Sequence, residues 1–265
     1  MKHYTSRSPA NLVPDFAVIG GSGLTRIESL DVVHRQVCRS PWGEPSAPVT
    51  WGRLGDATIA FLPRHGSGHT IAPHRVNYRA NIQVLHDLGV RKIIAVTAVG
   101  GIRKDLDSGS IVIPHDVIDY TWSREHTFFG GHASGGDVTH VDFTYPYAPA
   151  LRGALESAAR SLDINVATSA VYAATQGPRF ESPAEIDRIE TDGGDIVGMT
   201  GMPEAALAAE LKIDYANISV VVNPAAGRAP AGVEISLESI FAELDGGMAK
   251  VRDILAAAGA GIASL

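Results

Sequence analysis

The sequence predicts an α/β fold, a single-domain mixed β-sheet flanked by helices, on three observations. Short β-branched runs alternate with segments of helical apolar spacing along the chain. At 265 residues the chain is long enough for one large core, and no internal repeat or linker-like tract divides it. Hydrophobic residues at 45% and charged residues at 19% match an ordinary globular balance, not a disordered, collagenous or coiled-coil one.

Taken in order, 1–15 reads as a flexible extension, and Pro14 and Asp15 break the apolar stretch that follows its basic residues, so no signal-peptide core forms there. Apolar β-branched runs predict strands over 16–20, 57–62, 92–97, 111–114, 167–175, 195–199 and 215–222. Between them, 76–88, 149–162, 183–191 and 203–211 predict helices, and 236–257 closes the chain as another. Val76, Ala80, Ile82, Leu85 and Leu88 mark an apolar face on the first helix, which Gly89 stops. Residues 130–136 read as a glycine-rich loop. In such an alternating fold, ligands gather at the carboxyl ends of the strands, so functional residues are expected just after them.

Composition narrows the partners. Lys and Arg number 22 against 29 Asp and Glu, a formal net charge of −7, so no overall field draws the chain to nucleic acid or an anionic membrane. An anion must be held by a local site. Apolar runs fall short of the roughly 18 residues of a membrane span, and no signal-peptide core follows the N-terminus. Cys38 is the single cysteine, which suits a reducing compartment. A cytoplasmic location is the expectation.

Six fragments after strands are candidates to carry chemistry. Gly20-Gly21-Ser22-Gly23-Leu24 allows close approach of main chain to an anion, with the Ser22 hydroxyl as a donor, although taken alone it reads first as a tight turn. It has neither the dinucleotide fingerprint nor a P-loop lysine. Arg64 and His65 follow a strand and suit an oxyanion, or form an ordinary surface loop. His65, His69 and His74 lack the carboxylates that would make a metal site the stronger reading. Thr97-Ala98-Val99-Gly100-Gly101 reads as a small-residue turn with a hydroxyl. Phe180 and Glu181 pair an aromatic with a carboxylate after a strand, and Met199 and Thr200 precede a helix that Pro203 starts. Asn223 ends a strand before Pro224, where an amide often serves only a turn.

Together, Ile19–Leu24, Arg64-His65-Gly66, 76–81, 97–100, 176–181 and 198–204 resemble the methylthioadenosine phosphorylase branch of the trimeric purine nucleoside phosphorylases. The resemblance spans roughly 16–255 and implies a purine nucleoside phosphorylase-like fold. It implies a phosphate site of Ser22, Arg64, His65, Thr97, Ala98 and Thr200, with Met199 under the ribose. It implies a base site of Phe180, Glu181, Asn223, Pro224 and Ala225. Leu237 and Ile240 would form the 5′ pocket, with His140 entering from a neighbouring subunit of a homotrimer. Asn223, Arg64 and His65 would carry catalysis, with inorganic phosphate as co-substrate and no cofactor or metal.

Adenine-preferring relatives carry aspartates at the positions of Asn223 and Ala225, and hydroxyl-preferring ones a histidine at Leu237. The expected reaction is therefore phosphorolysis of 5′-methylthioinosine. Cleavage of methylthioadenosine or of unmodified purine nucleosides stays open, as does nucleoside binding without catalysis.

Overall fold

The structure is a computed structural model that describes residues 13–21, 23–24, 30–130, 138–229 and 237–265, the last segment with side chains from 243 onward. Eleven strands join one sheet among these residues. In chain order the elements are β1 (Phe16–Gly20), β2 (Asp31–Gln36), β3 (Val49–Leu54), β4 (Ala57–Pro63), a short 3-10 helix (Pro73–Arg75), α1 (Tyr78–Asp87), β5 (Lys92–Gly101), β6 (Ile111–Val112) and β7 (Asp116–Asp119). There follow α2 (Pro149–Ser161), β8 (Val166–Ala167), β9 (Val171–Ala174), α3 (Pro183–Thr191), β10 (Ile196–Gly198), α4 (Glu204–Glu210), β11 (Asp214–Pro224) and α5 (Leu237–Ala263). The predicted mixed sheet flanked by helices is the fold observed.

Strand alternation sorts the core into two layers. Ala17 and Ile19 of β1 face a cluster with Ile82 and Leu85 of α1 and Leu207 and Ala208 of α4. Phe16 and Val18 face the opposite cluster, with Leu151 and Leu155 of α2 and Met248, Val251 and Ile254 of α5. Of the extension expected over 1–15, residues up to 12 lie outside those described. At its end Asp15 is not free: its N–H donates to the Thr58 carbonyl and its carboxylate accepts from the Thr58 N–H, both at 2.8 Å, which ties it to β4.

Several boundaries differ from expectation for physical reasons. The run 97–101 is strand rather than turn, because β11 pairs with β5 in parallel from Asp214↔Lys92 to Pro224↔Gly101. The single strand expected over 167–175 is two, β8 pairing β6 and β9 pairing β10 and β7. Between them the carbonyls of Thr168 and Ser169 accept from Arg152 and Arg103, which takes them out of the ladder. Strands β2, β3 and β7 were not expected; β2 and β7 are the two edges of the main strand order and are mostly exposed or half-buried, so no buried alternation marks them. The closing helix runs on to Ala263 because Ala258 and Ile262 also face the core.

The pairing around β5 places the cavity. β11 occupies one whole edge of β5. On the other edge β1 pairs in parallel with Ile93–Ala95, and β10 pairs antiparallel with Gly100 and Gly101. The carboxyl ends of β1 and β10 therefore point at one another across the middle of β5, leaving residues 96–99 with no strand beside them on that edge.

Candidate active site

The gap opens into a cavity of about 400 Å³ walled by Gly21 just past β1, the segment after β4, β5, β10 and the residues following it, β11, and the loop after β9. That is the size range of small-ligand sites. Arg64, His65, Thr97, Ala98, Phe180, Glu181, Met199, Thr200, Asn223 and Ala225 all line it. Gly21 lies against the bare edge of β5: a Cβ there would meet the Val96 carbonyl oxygen at 2.7 Å and Arg64 Nη1 at 3.0 Å. Only glycine permits that approach. Because main-chain groups alternate between strand edges, the Ala98 amide faces the same gap as the Val96 carbonyl. Ala98 thus contributes main chain, not side chain.

Arg64, at the end of β4, is fully buried and forms a two-pronged pair with Glu204 of α4, Nε to Oε1 at 2.8 Å and Nη2 to Oε2 at 2.7 Å. Nη1 donates to the Val96 carbonyl at 3.1 Å. Tyr215 Oη donates to Glu204 Oε2 at 2.8 Å. Burial disfavours the guanidinium charge, but the Glu204 carboxylate more than offsets this, so Arg64 stays protonated. A planar fork has five N–H groups, so two remain beyond Glu204 and Val96. The cation is half of an ion pair, which sequence reasoning missed.

His65 is held by Nδ1 donating to the Ile71 carbonyl at 2.7 Å. Burial, then the Arg64 charge, push its imidazole down to about 4. The ring is neutral near pH 7, and Nε2 is left as an acceptor. Thr97 Oγ1 lies 2.8 Å from Ser219 Oγ, Ser219 donates to Asn217 Oδ1 at 2.6 Å, and Asn217 Nδ2 donates to Thr97 Oγ1 at 3.3 Å. This buried ring satisfies the Thr97 hydroxyl inside the protein. Thr200 follows β10 and is nearly buried, its N–H facing Tyr172 Oη. Pro203 sits one residue before the first helical position of α4.

The opposite wall comes from the ends of β9 and β11. Thr175 Oγ1 donates to Glu181 Oε1 at 2.6 Å, which leaves Oε2 of that carboxylate available as an acceptor. Phe180 is half-exposed at the cavity rim. A bulge shifts the β11 register between Val221 and Asn223, and Asn223 Nδ2 donates to the Pro224 carbonyl at 2.6 Å. Pro224 itself does not line the cavity. A second cavity of about 280 Å³ backs onto the same loop, lined by Tyr120, Trp122, Gln176 and the Arg179–Glu185 pair.

Ser22 lies outside the described residues, as do the side chains of Leu237 and Ile240. His140 is exposed and away from the cavity of its own chain. Besides Glu204, sequence reasoning passed over Asn217, Ser219 and Arg124. The first two carried a signal: polar residues two apart in an otherwise apolar strand share one face, here the face that also carries Arg64 and Thr97.

Residues 15–257 match the phosphorylase superfamily. A protein of Pseudomonas syringae pv. tomato named a probable S-methyl-5′-thioinosine phosphorylase is 48% identical over 241 residues, 91% of this chain and 96% of the relative. The 6-oxopurine nucleoside phosphorylase of Pyrococcus furiosus is 45% identical over 218 residues, 81% of each chain. Among solved structures, methylthioadenosine phosphorylase from Schistosoma mansoni in complex with adenine superposes with a TM-score of 0.90 at 32% identity, covering 94% of this chain and 92% of that one.

Proposed function

The chain belongs to the phosphorylase superfamily, and from that premise we propose that it cleaves 5′-methylthioinosine with phosphate, giving hypoxanthine and 5-methylthioribose 1-phosphate in purine salvage. The observation that carries the choice of base is Glu181, fixed on the cavity wall by Thr175. A carboxylate only accepts, which fits the N1–H of hypoxanthine and opposes the bare N1 of adenine. Asn223 can offer its second amide N–H to O6 or N7. The names of the similar proteins, a methylthioinosine phosphorylase and a 6-oxopurine phosphorylase, support the same reading.

In the reaction the C1′–N9 bond breaks, the electron pair leaves with the purine, a phosphate oxygen bonds to C1′, and the proton of hydrogen phosphate passes to the purine to give hypoxanthine. The transition state carries positive charge on the ribosyl carbon. Arg64 and Glu204 sum to zero charge and His65 is neutral, so the cradle holds phosphate with N–H and hydroxyl donors without cancelling its negative charge. That charge then faces the carbon that becomes cationic. Met199 would lie under the ribose, with Thr200, Ala98 and Ser22 on the phosphate. Such a step needs no metal or organic cofactor.

A homotrimer belongs to the same proposal, with His140 of one subunit meeting the 5′ substituent in the next. The exposed Val138 and Tyr145 flanking His140 support it as an apolar surface to be covered. A cytoplasmic location is proposed with it. No described helix is long and apolar enough to cross a membrane.

The test is to incubate the protein with methylthioinosine, methylthioadenosine, inosine and adenosine, with and without phosphate, and identify the products. Hypoxanthine and methylthioribose 1-phosphate should appear from methylthioinosine only when phosphate is present. Base release without phosphate would make the protein a hydrolase, and equal cleavage of methylthioadenosine would refute the role given to Glu181. Equal kcat/KM for inosine would refute the 5′-methylthio preference alone.

A further inference from the structure

We infer that Arg124 is a positioning residue that ties the base wall of the cavity to the ribose wall, an assignment that rests on the proposed reading of those walls. Arg124 lies on the segment after β7 and is 8% exposed. Its Nε donates to Gln176 Oε1 at 3.1 Å, Nη1 to the carbonyls of Met199 and Met202 at 2.9 and 2.6 Å, and Nη2 to the carbonyls of Thr175 and Gln176 at 3.1 and 2.7 Å. These five acceptors match the five N–H groups of a guanidinium. A longer contact of 3.3 Å reaches Tyr78 Oη, and the guanidinium carbon sits 5.4 Å from the Tyr78 ring centre. All its acceptors are neutral.

A buried cation held only by dipoles is unusual, because most buried guanidinium groups are paired with a carboxylate. The topology supplies the reason. β9 and β10 run in parallel from Ile196↔Tyr172 to Gly198↔Ala174, and the Thr175 N–H still donates to the Gly198 carbonyl at 2.8 Å. Past that point the strands part, one to Glu181 and the other to Met199 and Thr200, so their next carbonyls lose their ladder partners. Arg124 takes up those carbonyls from both strands at once. The separation of the two loops, and with it the distance from base contacts to ribose contacts, is then set by one rigid planar group. A lysine has three donors and no fork, and cannot hold both sides.

Gly21 follows β1 and Arg64 and His65 follow β4, all outside this clamp; of the proposed phosphate contacts only Thr200 lies within it, between Met199 and Met202. The effect should therefore fall chiefly on the nucleoside, with phosphate affected only through Thr200. With 5′-methylthioinosine as varied substrate, Arg124→Ala should lower kcat/KM about 100-fold, the scale of a misplacement near 1 Å. Arg124→Lys should lower it about tenfold, with the phosphate KM of both variants moving less than about threefold. Added guanidinium chloride at low millimolar concentration should restore part of the activity of Arg124→Ala and none of that of Arg124→Lys, whose ammonium fills the place. Amide hydrogen exchange should quicken over 175–181 and 199–203 in Arg124→Lys, while 92–97 keeps its protection.

Nucleoside parameters within twofold of the parent in both variants would overturn the assignment. So would equal rises in nucleoside and phosphate KM, which would mark general loosening. If Arg124→Ala does not fold, Arg124→Lys carries the kinetic test alone. A parent protein inactive on every nucleoside would refute the proposed reaction, and the exchange pattern would still decide whether Arg124 couples the two loops: unchanged exchange over 175–181 and 199–203 refutes it.

Discussion

Arg64 and Glu204 share one buried pair, so removing the arginine alone strands a carboxylate with only Tyr215 to bond it. Breaking such a pair from one side costs about 3–5 kcal/mol of stability. Arg64→Ala should show that loss in urea unfolding, together with a transition-state loss of about 2–4 kcal/mol. The double variant Arg64→Met with Glu204→Leu should recover most of the stability and none of the turnover; recovery of both would remove Arg64 from the phosphate site. At His65 the sign runs the other way from an ordinary ion-paired histidine. Burial and Arg64 lower its pKa from 6.5 to about 4. The unfolded chain then binds the proton that the folded one refuses. The contribution of the neutral ring is complete above about pH 6.5 and is lost as pH falls toward 4, with a slope of up to ~1.4 kcal/mol per pH unit. The stability difference between parent and His65→Asn should be flat above pH 7 and change between pH 6.5 and 4.

The bulge in β11 re-aims Asn223 where an unbroken register would turn the next side chain to the other face. Asn223→Asp with Ala225→Asp places acceptors where adenine has its N6 donor. The ratio of kcat/KM for methylthioadenosine over methylthioinosine should rise by about 10–100-fold; an unchanged ratio would leave base choice to other residues. Elements differ in how plainly the sequence announces them. β1 reads at its full length because five buried apolar or small residues run into glycines, and α3 because Ser182 and Glu185 close a capping box ahead of the helix. The strand content of 98–101 was hidden, since small residues there answer to a partner more than 100 positions away. The same distance hid the site's internal partners. Arg64 and His65 stand at a strand end where sequence logic looks, whereas Glu204 is 140 residues from Arg64 and Arg124 holds carbonyls 51 to 78 residues on. Side-chain chemistry is local in sequence, and its satisfaction is not.

For the molecule as a whole, the cavity sits between the two buried layers where the sheet itself is interrupted, so ligand and fold are coupled. Phosphate at 100 times its dissociation constant should stabilise the native state by about 2.7 kcal/mol if it binds only the folded form. Thermal unfolding with phosphate against chloride at equal ionic strength reads this; no shift at saturating phosphate would refute an anion site in the gap. Exchange at the Ala98 amide should slow most, since it faces the interruption between β1 and β10. An oxyanion lodged there would act as a missing rung, joining the ends of two strands that never pair with each other. The main chain that receives it is set by strand order and carries no side chain to lose. On the proposed reading, that main-chain rung stays in place when Asn223, Ala225 or Glu181 is substituted to change the base, and what a substitution can remove from the anion is the side-chain donors around it, Arg64 first. In a lineage of such proteins the base would be the variable and the phosphate the inheritance.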